Sequence, residues 1–161
     1  MRRVVVVGPG AAGKSALARA LGEVTGIPVT ELDQVFWRPG LRATPKEEWA
    51  AVQAELAARP AWILDGDLGP YDVIEVRLRA ADTVVFLDFS TARCAWRAVR
   101  RSRENADFWR WLLAYRRRSR PALLAAIVAH APAARVYLLR TPRAVSRFLT
   151  KARREAAGAG Y

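Results

Sequence analysis

Cysteine and histidine are nearly missing from this chain: Cys94 and His130 are the only residues of their types. One cysteine closes no internal disulfide, and one histidine beside it gives no cluster at metal-ligand spacing, so disulfide staples and zinc sites are excluded. Long apolar runs are missing too. The valines at positions 4–7 stop at Gly8, too short a run for a signal-peptide core or a membrane span, which predicts a cytoplasmic protein with no membrane partner. Lysine is scarce, with Lys14, Lys46 and Lys151 alone among 27 basic residues. Arginine and alanine richness of this kind follows coding bias as readily as ligand demand, which weakens any inference from the net charge of +12.

The distribution of that charge says more than its sum. Residues 1–90 carry ten basic and twelve acidic side chains, whereas residues 93–120 carry ten arginines against Glu104 and Asp107. What the chain has in quantity is apolar side chains, 52% of 161 residues, enough for one α/β domain that buries about two-thirds of its unfolded surface. That domain is expected over 1–155, with 156–161 a flexible tail of small residues. No internal repeat or linker interrupts it.

Short apolar runs at Arg3–Val7, Ile27–Leu32, Ala61–Leu64, Thr83–Leu87 and Arg135–Leu139 predict five strands. They are continuous rather than alternating and are separated by helical patterns, so they predict a parallel sheet covered on both faces. Helices are expected from Lys14, over about 45–59 behind the capping box Thr44-Pro45-Lys46-Glu47, over 91–103, 107–118 and 121–129, and after Thr141-Pro142.

Between the first strand and the first helix lies Gly8-Pro9-Gly10-Ala11-Ala12-Gly13-Lys14-Ser15, with Ala16 behind it. In this pattern glycines let backbone N–H groups face phosphate oxygens, the lysine reaches the β- and γ-phosphates, and the serine ligates Mg²⁺. The strand before and the amphipathic helix after give the motif the context it needs. ATP and Mg²⁺ are the ligands it predicts. Asp33, Asp65 and Asp88 each follow or close a strand on the edge where open α/β sheets bind ligands. Each also suits a turn or a cap. A phosphotransferase needs one acid at the metal and another at the acceptor hydroxyl, and Asp65 and Asp33 are the candidates. Trp37, close behind Asp33, is a candidate acceptor contact. Trp109, Trp111, Leu112 and Leu113 read as packing. Among Arg97, Arg100, Arg101 and Arg103, most are expected on a solvated helix face and one or two at transferred phosphate oxygens.

These residues together resemble a family, the adenylate-kinase-like small P-loop kinases, and within it the bacterial group labelled DNA topology modulation proteins. The likeness runs almost the full length. It rests on the loop at 8–15, on Leu32-Asp33-Gln34-Val35-Phe36-Trp37-Arg38-Pro39-Gly40, on Trp62-Ile63-Leu64-Asp65-Gly66, on the segment 81–88, and on Leu139-Arg140-Thr141-Pro142-Arg143. The resemblance implies a three-layer P-loop NTPase fold, with a five-stranded parallel sheet ordered 2-3-1-4-5 and a reduced basic lid over 93–120. It implies an acceptor site between strands 2 and 3, lid arginines at Arg97, Arg100 and Arg101, and nucleotide contacts from Arg140 and Pro142. An acceptor-binding arginine after the Asp-Gly would fall to Arg77. Asp67-Leu68-Gly69 stands where relatives commonly have Asn-Tyr.

The function expected is therefore Mg²⁺-dependent phosphoryl transfer from ATP to a small hydroxylated or phosphorylated acceptor. The alternative is a nucleic-acid-associated P-loop ATPase, or a nucleotide-binding protein without turnover, whose Arg93–Arg120 segment contacts phosphates.

Overall fold

Four consecutive valines are buried together only in a strand covered on both faces. Strand β1 (Arg3–Val7) is that strand, with all four valines fully buried. The structure is a computed structural model that describes residues 1–40, 42–101 and 105–158, without the side chains of Pro70 and Arg101; Arg103 and Glu104 of the basic segment lie outside the described residues.

From β1 the chain enters helix α1 (Lys14–Thr25), closed by Gly26 in the left-handed conformation, and returns in β2 (Val29–Glu31). A short helix α2 (Leu32–Phe36) and a two-stranded hairpin, β3 (Trp37–Arg38) with β4 (Arg42–Ala43), lead to α3 (Lys46–Ala58). Then come β5 (Trp62–Asp65), a 3-10 turn at Gly69–Tyr71, α4 (Ile74–Ala80) and β6 (Thr83–Leu87). Three helices, α5 (Thr91–Arg101), α6 (Ala106–Tyr115) and α7 (Ser119–His130), precede β7 (Arg135–Leu139) and α8 (Pro142–Gly158).

The main sheet is five-stranded and parallel, ordered β2-β5-β1-β6-β7. With the hairpin set aside this is the order 2-3-1-4-5. Alternation along β1 divides the core. Val5 and Val7 pack with Trp49, Leu56, Leu78 and Ile127 of α3, α4 and α7, while Val4 and Val6 pack with Leu17, Leu21, Leu112 and Phe148 of α1, α6 and α8. The register sets Val6 beside Asp65 and Glu31 beside Asp65, so the carboxyl ends of β1, β2 and β5 share one edge. On that edge the chain leaves β1 toward β5 and β2 on one side and β6 and β7 on the other, a topological switch point that opens a crevice.

Three local expectations are corrected. Thr44 does not cap α3: its hydroxyl donates to the Phe36 carbonyl at 2.5 Å, tying the hairpin to α2, and Pro45 takes the cap position. Asp65 is the last residue of its strand rather than the residue after it. Helix α8 continues through Ala156 and Ala157 to Gly158, into the stretch expected to be tail. Among the described residues no helix is long and apolar enough to cross a membrane.

Candidate functional site

The loop between β1 and α1 is built to leave N–H groups unspent. Gly13, at the cap position of α1, has φ 95°, and no side chain accepts from the first turn of the helix. Those donors and the positive end of the helix dipole are offered to an anion. Ala11 holds φ 58°, the one non-glycine left-handed residue among those described, a local strain set in the middle of the loop. Lys14 curls over the loop and donates to the Pro9 carbonyl at 3.2 Å.

Opposite the loop, Asp65 ends β5 almost completely buried, and its Oδ1 has no hydrogen-bond partner among the described residues. Burial raises its pKa above the usual aspartate range, against the pull of the Ser15 hydroxyl and the Lys14 ammonium, with Glu31 and Asp33 pushing further up. An orphaned, buried carboxylate oxygen beside a serine hydroxyl is the donor set a hard divalent cation accepts. Among the described residues no three His, Cys, Asp or Glu side chains are placed to hold a metal ion by themselves.

Asp33 stands in the first turn of α2 with its side chain open to solvent at the mouth of the crevice. Crowding by protein atoms nonetheless raises its pKa, Lys14 lowers it, and Asp72 and Glu31 raise it again. Asp67 is raised in the same way, by burial first, against Lys14 and the Gly69 N–H. Lys14 thus lowers Asp33, Asp65 and Asp67 alike, and burial is what chiefly keeps their pKa values up, with neighbouring acids adding to it.

Helix α5 brings Arg97 onto the loop: a methyl group built on Gly13 would lie 3.0 Å from its Nη2. Arg97 lines two adjoining cavities. One, of about 300 Å³, lies between α1 and α8 and also takes in Ala16, Leu17, Pro142 and Val145. The other, of about 290 Å³, is lined by Ala11, Trp96, Arg97 and Arg100. The Arg100 guanidinium stacks on the Trp96 ring, 4.8 Å from its centroid. Arg101 closes α5, and its side chain is outside the description. Arg140 is half-engaged: it donates to Asp88 at 3.1 Å while staying largely exposed. Asp88 also takes a two-pronged contact from Arg120, at 2.7 and 2.9 Å, and these arginines hold its carboxyl below the usual range against burial.

Arg77 is a correction. It is fully buried and spends its guanidinium inside the protein, on Asp72 at 2.7 and 2.8 Å, on Gln53 at 2.7 Å and on the Gly66 carbonyl at 2.9 Å. It cannot reach an acceptor; it fixes the turn that follows Asp65. A cavity of about 370 Å³ between the β2–β5 edge and α6 is lined by Trp37, the candidate acceptor contact, together with Asp67, Tyr71, Asp107, Phe108 and Trp111, for which the sequence raised no expectation of function. Their signal was present in part: Phe108 and Trp111 are spaced to share a helix face, and Asp67 follows the Asp-Gly directly. A further cavity of about 360 Å³, lined by Met1, Thr25, Ile27 and Glu155 among others, lies at the opposite end of the sheet, away from these groups.

Solved structures share this architecture. The chain is similar to a sugar kinase from a Janibacter species, at 21% identity and TM-score 0.60, covering 93% of each chain. It is similar to a shikimate kinase from Acinetobacter baumannii in complex with shikimate, at 18% identity and TM-score 0.69, over 99% of this chain and 95% of the other. A gluconokinase from Sinorhizobium meliloti aligns at 17% identity and TM-score 0.55, over 98% and 93%. The likeness is one of fold, the five-stranded parallel sheet with its covering helices. No protein-family model matches the chain. No curated protein matches it either.

Proposed function

We propose that this protein transfers the γ-phosphoryl group of ATP to a hydroxyl of a small acceptor, with Mg²⁺ as the metal. The observation that carries the reading is the unpartnered Asp65 Oδ1 facing Ser15 and Lys14, with Arg97 over the same loop and Asp33 one strand away. Loop N–H groups from Gly8 to Ser15 and the Lys14 ammonium bind the β- and γ-phosphates. Ser15 and Asp65 hold Mg²⁺, which when bound neutralises phosphate charge. Ala16 and Pro142 bound the side of the cleft that takes the nucleoside of ATP, and the family likeness adds Arg140 as a nucleotide contact. Arg97 and Arg100, with Arg101, bring positive charge to the transferred oxygens.

Asp33 accepts the acceptor's hydroxyl proton as the new oxygen–phosphorus bond forms. The bond from the γ-phosphorus to the bridging oxygen breaks, and its electron pair stays on the β-phosphate. A pKa raised by burial suits that task, because it makes the carboxylate a stronger base. Trp37 borders the acceptor. The likeness of 32–40 and 62–66 to the DNA topology modulation group supports the same division of labour, and the cytoplasm, where ATP is made available, is where the reaction belongs.

The test is a ³¹P NMR screen of ATP with Mg²⁺ against a panel of hydroxylated acceptors. A new phosphate-ester resonance that depends on both acceptor and Lys14 is expected. ATP bound normally but transferred to nothing in a broad panel would sink the kinase reading.

A further inference from the structure

The cavity between the turn after β5 and helix α6 has walls that select one chemistry. Trp37 and Tyr71 form one side, with ring centroids 6.2 Å apart, and Phe108 and Trp111 form the other, 6.1 Å apart. Asp67 and Asp107 supply its charge, and among the described residues no arginine, lysine or histidine lines it. The nearby arginines are spent elsewhere: Arg77 is closed in with Asp72, and Arg38 is paired with Glu48. Arg110 meets Asp107 at 3.3 Å, but this pair lies on the exposed face of α6, where such contacts are weak. Asp67 makes no ion pair among the described residues, and Lys14 and Arg77 act on it only from outside the cavity lining. Its one hydrogen bond among the described residues comes from the Gly69 N–H at 3.1 Å.

An acidic acceptor entering this space would lose its hydration against aromatic rings and two carboxylates, with no cation to replace it. An ammonium gains on both counts, from ring faces and from Asp67. From the aromatic walls and the lone Asp67 we infer that the acceptor is a hydroxylated amine with an apolar face, and that alcohols bearing a carboxylate or phosphate are excluded. This inference rests on the kinase reading for the word acceptor, and on the cavity alone for the binding preference.

Tyramine and 4-hydroxyphenylacetate share a ring and a hydroxyl and differ at the charged end. Titrated without ATP and followed by tryptophan fluorescence, tyramine is expected to bind roughly tenfold tighter. Asp67→Asn keeps the Gly69 contact and should erase that preference, and Trp37→Phe should weaken the fluorescence response. Equal or tighter binding of the acid, binding of neither, or a preference that survives Asp67→Asn would overturn the inference. A second arm offers ATP with amino alcohols, shikimate and gluconate. Amine preference with no transfer to anything removes the kinase reading and leaves the cavity's selectivity standing. Transfer to shikimate or gluconate keeps the kinase and removes the inference.

Discussion

Asp33 and Arg77 show how far single residues can be read from their neighbours in the chain. Both are polar residues near strand ends in a segment with a recognisable pattern. Asp33 lies at the mouth of the crevice within electrostatic reach of Lys14, while Arg77 is buried against Asp72 and Gln53. The local sequence offers Arg77 its partner Asp72 five positions away, but the burial is completed by Gln53, 24 positions away, which no local pattern reveals. Two predictions belong at this scale. Asp33→Asn should retain ATP binding in a titration and lower acceptor-dependent turnover by about 10²-fold or more. Because Asp33 must be ionised to take a proton, kcat/KM should rise with pH through its raised pKa. The midpoint should lie above about 3.9, the ordinary aspartate value, and that limb should vanish in Asp33→Asn; an acid limb unchanged in the variant would assign it to Asp65 or Asp67. Arg77→Ala leaves the Asp72 carboxylate buried without its partner and should cost about 3–5 kcal/mol in urea unfolding. Burial alone would raise Asp72, but Arg77, Gln53 and the Leu68 N–H outweigh it and hold the pKa low. Its stabilising contribution is therefore present above the usual aspartate range and fades as the pH falls through the depressed value. The gap between wild type and Arg77→Ala should narrow on that acidification.

At the scale of elements, the strands were legible as uninterrupted apolar runs: burial on both faces writes that run in Thr83–Leu87, while the edge strand Arg135–Leu139 carries it with Val136 and Leu138 left exposed, and both have the bounds expected. Helix α4 carried no such mark. Ile74-Glu75-Val76-Arg77-Leu78-Arg79 alternates apolar and charged residues, a strand-like period, and it is helical because Arg77 and Leu78 are both drawn into the core. The short lid was read as basic. Its second face is aromatic: a methyl group on Gly10 would stand 2.6 Å from Phe108 and 2.8 Å from Trp111, so α6 rests on the phosphate loop. Gly10→Ala should push those rings away, at a cost of about 1–3 kcal/mol typical of overpacking, and lower turnover. Thermal unfolding beside a fluorescence spectrum would measure both, and an unshifted spectrum with wild-type turnover would mean that α6 does not bear on the loop. Arg97→Ala should reduce kcat by roughly 10³-fold or more if its guanidinium meets the transferred oxygens, with little change in unfolding because the side chain is exposed.

For the whole molecule, the arrangement of the sheet followed from strand character and family likeness, while the lining of the cavities beside the β1–α1 loop and against α6 did not, since helices far apart in the chain meet there. The excess of arginine is the property that only the assembled molecule interprets. Arg97 and Arg100 are turned to the loop side, and Arg120 and Arg140 are engaged by Asp88. Arg116, Arg117 and Arg118 follow α6 as an exposed run, the one stretch of the described basic segment that presents three successive arginines to solvent. A chain of net charge +12 will meet any duplex DNA electrostatically. The question is whether that contact is a function. If it is incidental, affinity for a random duplex should be weak at physiological salt and should collapse with added salt, at a slope of about −0.9 per phosphate engaged. It should also be indifferent to sequence, and it should leave ATP turnover unchanged. Neutralising Arg116–Arg118 to glutamine should then reduce the salt slope by about one for each phosphate no longer engaged, while acceptor-dependent turnover stays at the wild-type level. Neutralising Arg97 and Arg100 should do the opposite, slowing turnover with little effect on the duplex. Fluorescence anisotropy across a salt series, paired with the kinase assay, reads both quantities on the same variants. Turnover that DNA stimulates, or tight duplex binding that persists in Lys14→Ala and disappears with the lid arginines, would make the basic segment the working surface and the small-acceptor kinase the wrong conclusion.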